Sequence, residues 1–278
     1  MMRISVIIIS RNTEEFMTDC LDSLVSQSRK PDELIVVDAE STDSTQAIVR
    51  KFAKEHPFIK LYVKALHKGE SRNFGVKQAS GDIVAFVDAD VIVNSLWTEE
   101  MLKAFADPKV HAVAGKEVRM GYHGFASLKR VPLTHKGYDV TFPSVNIAYR
   151  KEVFEAVQGF DPWFKEAEDV DMNFRVVDAG HHLIYWEKAI VYHRVRSSFG
   201  GFFKQAFWYG FGRKELTLRH GQLWHKYEPM EMVRVSREES IWKIVRLAIS
   251  SFGYMFCLVV GKKQKAKDKL RQSKVSER

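Results

Sequence analysis

The first ninety residues alternate short apolar runs with amphipathic stretches, and this alternation restricts the fold more than any other feature of the chain. Ile4 to Ile9, Leu34 to Val37, Ile59 to Val63 and Ile83 to Val87 are four to six residues long and mainly apolar, as strands covered on both faces are. Between the first two, Glu14 to Gln27 places Phe16, Cys20, Leu21, Leu24 and Val25 on one face and stops before Pro31. A second helix is expected from Asp43, with Gln46 as its capping-box partner, to about Glu55, and a third over Glu70 to Gln78. Strands joined by single helices imply right-handed crossovers and a mostly parallel sheet, hence an α/β fold. With 278 residues and 45% hydrophobic content the chain can bury a full core, and it shows no internal repeat.

In an open sheet of this kind, ligands bind beyond the carboxyl ends of the strands. Three polar clusters fall at such ends: Ser10, Arg11 and Asn12; Asp38; and Asp88 with Asp90, which interrupt the apolar run GDIVAFVDADVIV at 81–93. Ionised carboxylates are costly to bury alone, so the two aspartates either emerge into a cleft or hold a positive charge. Taken alone, Asp-x-Asp is also the composition of a solvated turn. Its position beside the other two clusters favours a site for a cation and an anionic ligand.

A second acidic cluster comprises Glu166, Glu168, Asp169 and Asp171. Acids in a first helical turn complement the helix dipole, and Gly180 closes the helix expected to run to Ala179. Crowded like charges also raise proton affinity, which suits a general base. Val170, Phe174 and Val177 supply an apolar face to fix that helix on the sheet.

The net charge of +8 is concentrated at one end. Residues 262–278 carry eight Lys or Arg and two acids, leaving the rest nearly neutral, so a basic nucleic-acid groove is not expected. Cys20 and Cys257 have neither metal-ligand nor disulfide-framework spacing, which fits a reducing compartment. Ile4 to Ile9 is too short for a signal-peptide core and reads as a strand. Seven aromatics lie between Phe199 and Phe211, and the apolar stretch 241–260 is free of charge only from Leu247 to Val260. At about 1.5 Å per residue that stretch barely crosses a bilayer. An interfacial or shallow helix followed by the polybasic tail KKQKAKDKLR is the preferred reading, and a core-packed helix with a solvated tail is the alternative.

The segments SVIIISRN at 5–12, ELIVVDAESTDST at 33–45, GESRNFGVKQASGDIVAFVDAD at 69–90 and EAEDVDMNFRV at 166–176 resemble, in order and spacing, the motifs of family 2 glycosyltransferases. The resemblance spans about residues 1–215. It implies a single GT-A, Rossmann-like domain over 1–220 and transfer of a sugar, with inversion, from a nucleotide-diphosphate sugar to an acceptor hydroxyl or lipid-linked acceptor. The composition of 221–278 adds a helical, membrane-associated segment and basic tail, and with it work at the cytoplasmic face of an anionic membrane. Carried across, Asp38 holds the nucleobase, Asp88 the ribose and metal shell, and Asp90 a Mn²⁺ or Mg²⁺ on the diphosphate. Ser10, Arg11, Glu15 and Arg72 line the nucleoside pocket, with Lys68 and Ala89 beside them, and Asp169 is the base. Oxygen ligands suit such hard cations, which borrow phosphate oxygens and so need few protein ligands. His193, in AIVYHRVR, is either a further metal ligand or phosphate contact, or a structural histidine at a strand end. The segment 120–150, with Asn146 and Arg150, is assigned to the acceptor side. Glu40 stands where the family often has Gly, so that turn is expected to avoid a positive φ.

Two rival functions draw on the same residues. A sugar-phosphate nucleotidyltransferase calls for a glycine-rich phosphate loop after the first strand, and SRNTEEF has no glycine. A non-catalytic nucleotide- or lipid-binding module has no need of Asp90 and Asp169 together.

Overall fold

The alternating pattern folds into an eight-stranded sheet of β1 (Ile4–Ser10), β2 (Glu33–Asp38), β3 (Ile59–Val63), β4 (Ile83–Asp88), β5 (Val91–Val93), β6 (Val110–Met120), β9 (Asn146–Arg150) and β10 (His182–Arg194), in the order β3-β2-β1-β4-β9-β6-β10-β5. A two-stranded ribbon, β7 (Thr134–His135) with β8 (Tyr138–Asp139), lies apart from it. The computed structural model describes residues 2–121, 130–194, 198–221, 223 and 242–260. The polybasic tail 262–278 and residues 224–241 therefore lie outside the described residues.

The helices are α1 (Glu14–Val25), α2 (Thr45–Glu55), α3 (Lys68–Gln78), α4 (Trp97–Ala104), α5 (Lys151–Ala156), α6 (Glu168–Asp178), α7 (Phe199–His220) and α8 (Trp242–Val260). Successive side chains of a strand point to opposite faces, and the two cores follow that period. Ile4, Val6, Ile8, Leu34, Val36, Ile83 and Ala85 pack with Met17, Leu21, Val49 and Trp97 from α1, α2 and α4. Ile7, Ile35, Val37, Val84 and Phe86 pack with Val76, Phe154, Met172 and Phe174 from α3, α5 and α6. Burial on both faces explains why β1, β2 and β4 read as apolar runs. Gly75 permits the approach of α3, since a Cβ there would lie 2.6 Å from Ile7 Cγ2.

Two strands depart from the parallel plan. β9 runs antiparallel between β4 and β6, and β5 pairs antiparallel with β10. β9 closes the gap between two parallel groups, and β5 follows β4 after two residues, too few for a crossover helix. Registers align the functional ends: Ser10 pairs with Asp38, and Ile9 with Asp88.

Three local expectations are corrected. Glu40 adopts φ +54°, a left-handed conformation costing about 1–2 kcal/mol. That turn lets the Ser41 N–H donate to Asp38 Oδ1 at 2.8 Å. The Asp43–Gln46 box does not form, because Gln46 Nε2 donates to Asp38 at 2.9 Å and Asp43 accepts from the Thr45 and Glu14 N–H groups. Asn146 and Arg150, assigned to the acceptor side, are engaged within the sheet instead. Asn146 is buried and bonds Trp97 and the carbonyls of Lys116 and Ala189, and Arg150 donates to the carbonyls of Phe105, Asp107 and Val110.

α7 and α8 meet backbone to backbone. A Cβ at Gly210 would fall 1.7 Å from the Ser250 carbonyl oxygen, and one at Gly253 would fall 2.0 Å from that of Phe207. Ser250 Oγ donates to the Ala206 carbonyl at 2.8 Å, while Phe207 packs on Phe252 and Phe256. Away from this contact α8 exposes Ile244, Leu247, Met255 and Val259, and Phe252 at its margin is also largely exposed. Among the described residues α8 alone is long and apolar enough to cross a membrane.

Candidate active site

The carboxyl ends of β1, β2 and β4 form one polar rim. Asp38, fully buried, accepts from Ser10 Oγ at 2.9 Å as well as from Ser41 and Gln46. The two neighbouring loops are laced together: Asn12 N–H donates to Ser41 Oγ, Thr42 N–H to Asn12 Oδ1, and Ser44 N–H to Glu14 Oε2. This lacing fixes a stiff wall, with Arg11 and Glu15 exposed on it. Ala89 is buried in the core beneath the rim.

α3 joins this wall to the acidic segment. Lys68 and Arg72 lie one turn apart on the same side of the helix. Lys68 Nζ meets Glu166 at 3.0 Å. Arg72, 4% exposed, reaches Asp88 at 2.9 Å through Nη2 and Glu168 at 2.8 Å through Nη1. Its fork is therefore filled by two carboxylates, one from the Asp-x-Asp strand and one from α6. Asn73 completes the clamp by exchanging two hydrogen bonds with the backbone of Phe160.

The β5–β10 pairing brings His193 beside Asp90 although the two are distant in sequence. His193 Nε2 stands 3.5 Å from Asp90 Oδ1, a charge contact rather than a hydrogen bond, and that buried oxygen has no hydrogen-bond donor. His193 Nδ1 faces Glu117 Oε1 at 2.7 Å, and Arg119 holds Glu117 at 2.9 Å. Burial opposes a charge on His193, but Asp90 and Glu117 outweigh it and raise the imidazole to about 10. Burial likewise works to raise Glu117, yet His193 and Arg119 bring it down to about 2. An unsatisfied carboxylate oxygen beside an imidazole oriented by a second carboxylate fits a divalent cation, which would take the place of the proton that the raised imidazole otherwise carries on Nε2. Among the described residues no three His, Cys, Asp or Glu side chains form a complete metal cage, so such an ion needs ligand oxygens from a diphosphate.

Asp169 opens the first turn of α6, behind Ala167 in a left-handed conformation at φ +60°. Its Oδ2 accepts from Ser144 N–H at 3.1 Å and its Oδ1 from Val170 N–H at 2.8 Å. Burial and the adjacent Glu168 charge push the carboxyl up to about 6, against Arg72 and the two N–H groups. The four acids of this segment thus separate by role. Glu166 and Glu168 pair with cations of α3, and Asp171 is fully buried between Arg175 and His220. Only Asp169 is without a cation in direct contact among these four, and its raised proton affinity suits a base near neutral pH.

The family model described as Glycosyl transferase family 2 matches residues 5–156, and that described as Glycosyl transferase family group 2 matches 83–261. The chain belongs to the family 2 glycosyltransferases. Glycosyltransferase AglE of Haloferax volcanii is 29% identical over 226 residues, covering 77% of this chain and 74% of that protein. The O-antigen chain rhamnosyltransferase RfbN of Salmonella typhimurium is 28% identical over 209 residues, covering 69% of this chain and 66% of its own length. The mannosyltransferase PcManGT of Pyrobaculum calidifontis, solved with GDP-Man and Mn²⁺, aligns over 100% of this chain and 81% of its own at 20% identity with a TM-score of 0.65. The fold of this glycosyltransferase is GT-A, as the motif order led one to expect.

Two residues of the site escaped sequence reasoning. Glu117 lies on a long strand and meets His193 only through the β6–β10 pairing. Glu215, on α7, is buried and accepts from the N–H groups of Lys165 and Glu166 at 3.2 and 3.0 Å. Neither sits in a local motif. A lone acid within an aromatic helix was the single available sign of Glu215.

Proposed function

We propose that this family 2 glycosyltransferase transfers a sugar from a nucleoside-diphosphate sugar to an acceptor hydroxyl or lipid-linked acceptor, with inversion at the anomeric carbon. The observation that carries this reading is the base. Asp169 is raised to about 6 and linked through Glu168, Arg72 and Asp88 to the rim where the donor would lie. At neutral pH it is ionised and still basic enough to take a proton from an acceptor hydroxyl in the transition state. The attacking oxygen then displaces the nucleoside diphosphate in one step, which inverts the centre.

Arg11, Glu15 and Lys68 would line the nucleoside side of the cleft, with Ser10, Asp38, Asp88, Ala89 and Arg72 beneath it. Asp90 and His193 would hold Mn²⁺ or Mg²⁺, which supplies charge neutralisation to the departing diphosphate. Glu117 keeps the His193 ring turned so that Nε2 faces Asp90. The relatives that act on glycan chains, and the neighbour bound to GDP-Man and Mn²⁺, support this reading. The exposed apolar stripe of α8 and the basic composition of 262–278 support work at the cytoplasmic face of an anionic membrane, because two weak anchors together suffice where one does not.

The test is nucleotide release from a panel of UDP-, GDP- and dTDP-sugars with Mn²⁺, Mg²⁺ or EDTA. Release from at least one donor, dependent on the metal, is expected. A full panel without release, in the presence of extracted lipid-linked acceptors, would contradict the proposal.

A further inference from the structure

The segment that presents Asp169 is gripped from two sides. α3 holds it through Lys68, Arg72 and Asn73. α7 holds it through Glu215, whose two carboxylate oxygens each accept one of two consecutive N–H groups, from Lys165 and Glu166. One turn earlier, Gly212 lets α7 lie directly on the same backbone. A Cβ there would fall 3.0 Å from Ala167 Cβ and 3.1 Å from Glu166 Cβ. Immediately after this contact the chain makes its left-handed turn at Ala167 and enters the helix carrying Glu168 and Asp169.

We propose that Glu215 is a positioning residue for the catalytic base. By fixing the N–H groups of Lys165 and Glu166, it holds the Ala167 turn that aims Asp169 at the acceptor. The proposal rests on the reading of Asp169 as the base, and goes beyond it by making the C-terminal helix pair part of the catalytic geometry. Burial pushes the Glu215 carboxyl up to about 7, against the pull of the two N–H groups, so this acid is kept at a cost that packing alone does not explain. Because α8 is packed against α7 at Gly210 and Gly253, the seating of α7 is set by the same helix that bears the exposed apolar stripe.

The experiment compares full-length Glu215→Ala, Glu215→Gln, Gly212→Ala and Asp169→Asn for kcat, for donor affinity by calorimetry, and for thermal midpoint. Loss of the brace should cut kcat about tenfold or more in Glu215→Ala, with donor affinity within about twofold of wild type, since small misplacements of a reacting group are costly. Glu215→Gln should recover part of that loss, because an amide oxygen still accepts from one of the two N–H groups. Gly212→Ala should lower kcat by more than any loss of folded protein accounts for, because its Cβ presses on Ala167 and Glu166 beside the base. If Glu215→Ala does not fold, the other two variants decide. Wild-type kcat in Glu215→Gln and Gly212→Ala, or losses that track folded protein alone, would overturn the proposal while Asp169→Asn remains impaired. Wild-type kcat in Asp169→Asn would overturn the base reading and the positioning role together.

Discussion

Replacing Arg72 by Met keeps the apolar stem of the side chain and removes the cation that two carboxylates share. Glu168 is 7% exposed in its side chain and meets Arg72 at 2.8 Å, so it is left as a buried carboxylate without its partner. Breaking a buried pair in this way costs about 3–5 kcal/mol. Asp88 is 34% exposed, and water repays most of its loss, so that contact adds about 1 kcal/mol or less. At pH 8 the expected destabilisation is therefore about 3–5 kcal/mol, or on the order of 10 °C in thermal midpoint for a domain of this size. Removing Arg72 also raises Asp169 further, because the guanidinium lowers it now, and the acid limb of the kcat profile should move to higher pH. Urea denaturation followed by tryptophan fluorescence at pH 8 measures the first effect. A loss below about 1 kcal/mol would refute the argument that Arg72 stabilises a buried carboxylate.

Asp169→Asn should lose activity yet gain stability at pH 7.5. A carboxyl raised to about 6 in the folded chain loses stability as pH rises from about 4 to 6, and the amide is free of that penalty, so a rise of a few degrees in thermal midpoint is expected, vanishing near pH 4. An unchanged or lower midpoint at pH 7.5 would mark Asp169 as a cap. Asp90→Asn should abolish Mn²⁺-dependent donor binding in calorimetry with little change in melting, because its side chain is 33% exposed at a strand end; retained metal-dependent binding would remove Asp90 from the site. The full chain should sediment with anionic vesicles and only partly detach at high salt, and Phe252→Asp with Met255→Asp should abolish the salt-resistant fraction, since these side chains are 68% and 59% exposed. Failure to bind anionic vesicles at low salt would contradict the membrane assignment.

The parts of the fold that local sequence dictates were legible. β1, β2 and β4 are apolar because both faces are covered, and α1 and α3 follow from amphipathic spacing within a residue or two of their ends. Gly180 stops α6 in a left-handed conformation, as its position predicts. The parts set by distant pairing were not legible. The insertion of β9 between β4 and β6 rests on pairing between strands far apart in sequence, which no local pattern encodes. Asn146 looks like a ligand in sequence, but its amide is used on carbonyls of Lys116 and Ala189. Glu40 breaks a local rule because Asp38 gains the Ser41 hydrogen bonds, a balance invisible to propensity. At the site, the Asp-x-Asp pair and the acidic helix start stand out as motifs. Glu117 and Glu215 act on residues 76 and about 50 positions away, and only the folded chain brings them there.

The most direct test of the account is the steady-state rate of Asp169→Asn at saturating donor and Mn²⁺, with donor affinity measured on the same preparation. A general base contributes about 10²- to 10⁴-fold, so kcat should fall by at least about a hundredfold while donor affinity stays within about twofold of wild type. Wild-type turnover, or loss of donor binding in step with turnover, would show that Asp169 does not activate the acceptor.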